Sequence, residues 1–100
     1  MFYHGTSSIH LESILENGLI AGCNLTEDRK KNTNVVFLTV SYQSALGYAG
    51  RSKKMFGGER IILHIETKAN AWKNRVGCTI YTKKRIESRE IIEIIYPDKG

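Results

Sequence analysis

The chain has 100 residues, 41% hydrophobic and 25% charged, with fifteen Lys and Arg against ten Asp and Glu for a formal net charge of +5. A chain of this length makes one domain and buries roughly 60–70% of its unfolded surface, enough for a single core. It contains no apolar run long enough for a membrane span and no basic-then-apolar leader, and its charge favours an anionic partner: a nucleotide, a nucleic acid or an acidic protein surface.

Met1-Phe2-Tyr3-His4-Gly5-Thr6-Ser7-Ser8 opens the chain and organises the rest. Phe2 and Tyr3 suit a strand, because large aromatics fit a pleated, half-buried surface. Gly5 removes the side chain just after a histidine, so the backbone can approach a ligand there. Thr6, Ser7 and Ser8 are helix-starting residues whose hydroxyls accept from free N–H groups. The layout is strand, polar turn, helix, with His4 at the strand exit, where it either holds a nucleotide's sugar or amide or is an ordinary surface or core histidine.

Residues 8–17 read as the first helix, with Ile9, Leu11, Ile14 and Leu15 as its buried stripe. Asn17-Gly18 stops it, Gly18 taking the left-handed position. Residues 24–34 form a charge-rich loop, either a solvated connector or a lip over a site. Val35–Thr39 reads as a buried strand, and Ser41 caps a second helix from Tyr42 to about Ala49, kept short by Gly47 and Gly50. Residues 50–59 read as a basic loop ending in the turn Gly57-Gly58.

Arg60–Glu66 is the clearest strand, with His64 and Glu66 on one face and His64 in a structural role. Residues 67–75 read as a loop around Ala71-Trp72, Val76–Thr82 as a strand, and Lys83-Lys84-Arg85 as a basic connector. Ile91–Tyr96 is the last strand, stopped by Pro97. Two helices near the N-terminus and about five strands, mostly in the second half, indicate an α+β fold. Cys23 and Cys78 lack CxxC spacing and read as free thiols in a reducing compartment, with neither a disulfide nor a metal site expected.

Three stretches carry the chemistry: Tyr3-His4-Gly5-Thr6-Ser7; Val36-Phe37-Leu38-Thr39 with Ser44-Ala45-Leu46-Gly47-Tyr48-Ala49; and Ser88-Arg89-Glu90-Ile91-Ile92. Together they resemble the ADP-ribosyltransferase superfamily over nearly the whole chain. The closer likeness is to the His-Tyr-Glu branch that includes the diphtheria-toxin-like and poly(ADP-ribose) polymerase enzymes. The resemblance implies a compact fold in which two N-terminal helices pack on a split antiparallel sheet. It also implies an NAD-dependent mono-ADP-ribosyltransferase that moves ADP-ribose to a protein or nucleic acid and releases nicotinamide.

By the same resemblance, His4 bonds the adenosine ribose of NAD and Gly5 meets the nicotinamide carboxamide with its backbone. Thr6 and Ser7 order that turn, and Tyr48 stacks on the nicotinamide ring, with Phe37, Thr39 and Ser44 completing the NAD-binding set. Glu90 is the implied catalytic carboxylate beside His4, favouring the positive charge that develops on the sugar as nicotinamide leaves. Glu93 is its rival, and Tyr42 is an alternative stacking residue. The chain departs from the family where Phe37 replaces the usual triad tyrosine, keeping a stacking face without its hydroxyl.

That departure keeps a second class in view, a catalytically inactive relative that binds a nucleotide or a protein. The related RNA 2′-phosphotransferases share the His-Gly-Thr opening but use a second histidine where Phe37 stands. The short basic runs Arg29-Lys30-Lys31, Arg51-Ser52-Lys53-Lys54 and Lys83-Lys84-Arg85 are acceptor-binding candidates or plain solvated segments. Economy of size and the lack of a targeting segment fit a bacterial or phage effector acting in a cytoplasm.

Overall fold

Strand β1 (Phe2–Ser7) lies inside a six-stranded antiparallel sheet with neighbours on both sides. The computed structural model describes residues 2–19, 36–67, 72–76, 79–82 and 85–99. The other strands are β2 (Val36–Thr39), β3 (Arg60–Ile65), β4 (Trp72–Val76), β5 (Thr79–Thr82) and β6 (Ile91–Ile95), in the order β4-β5-β2-β1-β3-β6. The helices are α1 (Leu11–Asn17), preceded by a 3-10 turn at Ser8–His10, and α2 (Tyr42–Phe56). A second 3-10 turn, Ser88–Glu90, leads into β6. The architecture is mixed α+β, as the order of elements in the chain indicates.

Register fixes which residues share a side. Six successive pairs, from Phe2 opposite Ile65 to Ser7 opposite Arg60, join β1 to β3. On the other edge of β1, Tyr3 opposite Thr39 is the one registered pair with β2 among the described residues. The sheet therefore has a seam between β1 and β2, with β4-β5-β2 on one side and β1-β3-β6 on the other.

Residues paired across antiparallel strands project to the same face. Tyr3, Gly5, Ile62, His64 and Glu93 thus share one face, and Phe2, His4, Leu63 and Ile94 the other. The main core lies on the second face, where Ile61, Leu63 and Ile65 pack with Val36, Leu38, Ile14, Leu19 and Ile86. Leu19 and Ile86 are tied by reciprocal backbone bonds of 2.8 and 3.0 Å. Helix α2 covers the first face, lying against β1 and β3.

Several elements differ from the sequence reading. Helix α2 runs to Phe56 instead of stopping near Ala49, so residues 50–56 are helix and not loop. Each interior glycine costs the helix up to about 1 kcal/mol. That cost is offset because Ala45 and Ala49 are buried against the sheet, Ser52 lies beside Thr6, and the Phe56 ring meets His10 edge-on at 4.8 Å. The helix ends at Gly57-Gly58, whose φ values of 82° and 79° favour glycine.

The expected loop at 67–75 contains strand β4, which pairs with β5. In α1 only Ile14 is buried. Ile9 and Leu15 are 55% and 47% exposed, because the 3-10 turn shifts the phase of the stripe. Gly18 ends α1 with φ 77°, as expected. The 24–34 loop, Val35, Ala71, Lys83-Lys84 and both cysteines lie outside the described residues. No helix among the described residues is long and apolar enough to cross a membrane.

Candidate nucleotide site at the seam of the sheet

The seam brings His4 against β2. Its ring Nδ1 lies 2.8 Å from the Phe37 carbonyl oxygen, thirty-three residues away in sequence. A carbonyl only accepts, so Nδ1 carries the proton and donates. Removal from water holds the His4 imidazole below its usual range, opposed by the Phe37 carbonyl, which favours the charged ring, and reinforced by the nearby His10. In the neutral ring Nε2 is then an acceptor, suited to a hydroxyl donor such as a ribose 2′- or 3′-OH.

Gly5 follows directly and is buried under α2. A Cβ there would overlap the Ala45 carbonyl and crowd the Ala49 N–H. Close approach of a helix, in addition to any ligand, therefore demands glycine at this position, a tertiary requirement that motif spacing does not reveal.

Thr6 and Ser7 are buried, and their hydroxyls serve the fold. Ser7 Oγ donates to the Gly57 carbonyl at 2.5 Å and accepts from the Ile9 N–H at 3.3 Å. Ser8 adds a reciprocal pair, its N–H donating to Glu59 and its Oγ accepting from the Glu59 N–H. The turn after His4 is thus clamped to the turn between α2 and β3. Thr6 Oγ1 lies 3.5 Å from Ser52 Oγ.

Phe37 is half-buried, and Thr39 is fully buried with its Oγ1 accepting from the Ser41 N–H at 3.1 Å. Ser41 caps α2 by accepting from the Ser44 N–H at 3.2 Å, as the sequence indicates. Ser44 is half-buried and Tyr48 is 38% exposed, one turn further along the same side of the helix. Tyr42 is half-buried and packs edge-on against Tyr3 with centroids 5.7 Å apart.

Glu90 is not brought beside His4. His4 pairs with Leu63 on β3, and the Glu66 N–H donates to the Glu90 carbonyl, so Glu90 sits two strands across and three residues along. At about 4.8 Å per strand and about 3.3 Å per residue, the two backbones are about 14 Å apart. Its Oε1 accepts from the Glu87 N–H at 3.0 Å, and the Glu87 side chain accepts in return from the Glu90 N–H, a capping box around the 3-10 turn.

Glu93, the rival, lies on the edge strand β6 with its side chain 62% exposed, its Oε1 3.7 Å from His64 Nδ1. The Tyr3 ring lies against His64 at 5.3 Å. This Tyr3–His64–Glu93 row crosses three strands and escapes sequence reasoning, because nothing near His64 in the chain signals its partners. Alternation alone does indicate that Glu93, flanked by isoleucines, lies on an edge or in a pair. Neither any known family model nor any curated protein matches this sequence.

Proposed function

We propose that the protein binds NAD at the β1–β2 seam and transfers its ADP-ribose to a macromolecule. The bond between the nicotinamide nitrogen and ribose C1′ breaks, and nicotinamide leaves with the electron pair. The acceptor's oxygen or nitrogen bonds to C1′ and releases its proton.

The observation that carries this reading is the neutral His4, with Nδ1 committed to Phe37 and Nε2 oriented by that bond as an acceptor for a sugar hydroxyl. Phe37 on β2 and Tyr48 on α2 are the aromatic residues offered to the nicotinamide ring. Glu90 is the carboxylate offered to the developing oxocarbenium charge, a role that requires the nicotinamide ribose, whose C1′ carries that charge, to lie on the Glu90 side of the seam. Thr6, Ser7 and Thr39 act as positioning residues, since their hydroxyls hold the turns around His4.

A second reading, nucleotide binding without transfer, draws support from two observations. The Glu90 carboxylate already closes a capping box, and Phe37 lacks the hydroxyl of the family's tyrosine. Labelled NAD with purified protein and a bacterial lysate separates the two, comparing the native chain with Glu90→Gln. Label transferred by the native chain and not by the variant supports the transferase. NAD binding by calorimetry, with neither label nor nicotinamide release, supports the binding protein. Absence of NAD binding by the native chain overturns both.

A further inference from the structure

We propose that the acceptor is a nucleic acid, docked by its phosphates on the exposed face of α2; this rests on the transferase reading. Helix α2 contains Arg51, Lys53 and Lys54 and no acidic residue, so it carries +3 of the chain's +5. Ser44, Tyr48, Arg51 and Met55 recur at steps of four, three and four and therefore form one stripe, with Lys54 one turn beyond Arg51. The basic positions thus continue along the helix from Ser44 and Tyr48, the neighbours of the Ala45 and Ala49 that lie against Gly5. A polyanion lying along this stripe delivers its nucleophile to the same end of the site.

The surrounding charges reinforce the assignment. Asp98 is bound by Arg60 through two guanidinium nitrogens, and Glu59 pairs with Lys99 at 3.6 Å, so the acids at the far end of α2 are already matched. Among the described residues no carboxylate pairs with Arg51 or Lys54. Helix α1, on the opposite side of the sheet, carries Glu12 and Glu16 and no cation. Among the described residues α2 thus carries cations and no acid while α1 carries acids and no cation, and the positive charge on the helix that borders the seam steers a phosphate backbone to it.

The test is fluorescence anisotropy with a short fluorescein-labelled single-stranded RNA, for the native chain and for the double variant Arg51→Glu, Lys54→Glu. Two phosphate contacts give log K against log salt a slope of about −1.4 on a single strand, and their reversal weakens binding about tenfold or more and flattens the slope. The variant keeps its melting temperature and its NAD affinity by calorimetry, because both positions are exposed and neither contacts the seam. No RNA binding by the native chain, or equal binding by the variant, overturns the proposal. Label from NAD found on lysate protein and not on nuclease-sensitive material overturns the acceptor class while leaving the transferase intact. Loss of NAD binding in the native chain sinks the transferase reading and, with it, this acceptor assignment, even if RNA binds.

Discussion

Gly5 and Ala45 meet so closely that no side chain fits between them: a methyl built on Gly5 overlaps the Ala45 carbonyl oxygen. The contact seats α2 on β1 at the residue after His4, and so sets how near Tyr48 and Ser44 lie to the seam. Gly5→Ala is expected to cost about 2–3 kcal/mol by overpacking, read as a lower urea midpoint in the ligand-free protein. Gly47 is the control. It lies in the same helix with nothing within 4 Å of a Cβ, so Gly47→Ala is expected to stabilise by about 0.5–1 kcal/mol. Equal effects from both substitutions would show that Gly5 is needed for reasons other than helix contact.

His4 makes stability depend on pH with a definite sign. Its folded-state imidazole titrates below the ordinary value of 6.5, chiefly because burial disfavours the charged ring. Below about pH 6.5 the unfolded chain takes up a proton at His4 that the folded chain does not, so stability present above that pH falls as pH drops toward the lowered value. Urea midpoints between about pH 8 and pH 5 should decline in the native chain and decline less in His4→Ala. The same variant loses a bond worth about 1 kcal/mol but keeps the fold, and it weakens NAD binding about tenfold. An unchanged pH slope in His4→Ala would assign the dependence to other groups.

Ser7 clamps two turns at once, through its bonds to Gly57 and Ile9. Ser7→Ala removes both bonds, each worth about 0.5–1.5 kcal/mol, and is expected to cost about 1–3 kcal/mol. In a domain of this size that is a fall in Tm of about 10 °C. Ser7→Thr keeps the hydroxyl but adds a methyl where the residue is fully buried, and it should lie between the two.

These positions show why the sequence was legible in some places and not in others. Signals confined to a few neighbours came through: the Asn17-Gly18 stop, the Ser41 cap, the Gly57-Gly58 turn and the apolar runs of β2, β3 and β6. Helix α2 past Ala49 did not, because its last turns are held by Thr6 and His10, far away in the chain. Strand β4 was missed because its residues lack an apolar run, and pairing with β5 supplies what composition does not. At the site, His4 and Gly5 stood out as types, but the Phe37 carbonyl and the Ala45 carbonyl that explain them are backbone atoms, and no motif names a backbone atom.

Glu90 allows chemistry to be separated from architecture by a single pair of substitutions. Its carboxylate accepts from the Glu87 N–H, and a glutamine oxygen accepts equally well at the third position of a capping box. Glu90→Gln should therefore melt within about 0.5 kcal/mol of the native chain, whereas Glu90→Ala opens the box and costs about 1 kcal/mol. If the glutamine variant keeps its Tm and loses NAD-dependent label, the lost term is the negative charge itself, which favours an oxocarbenium-like transition state and not the bound dinucleotide. If both variants retain full labelling, the carboxylate serves only the turn before β6. The comparison then moves to Glu93→Gln, whose side chain stands exposed on the edge strand beside His64.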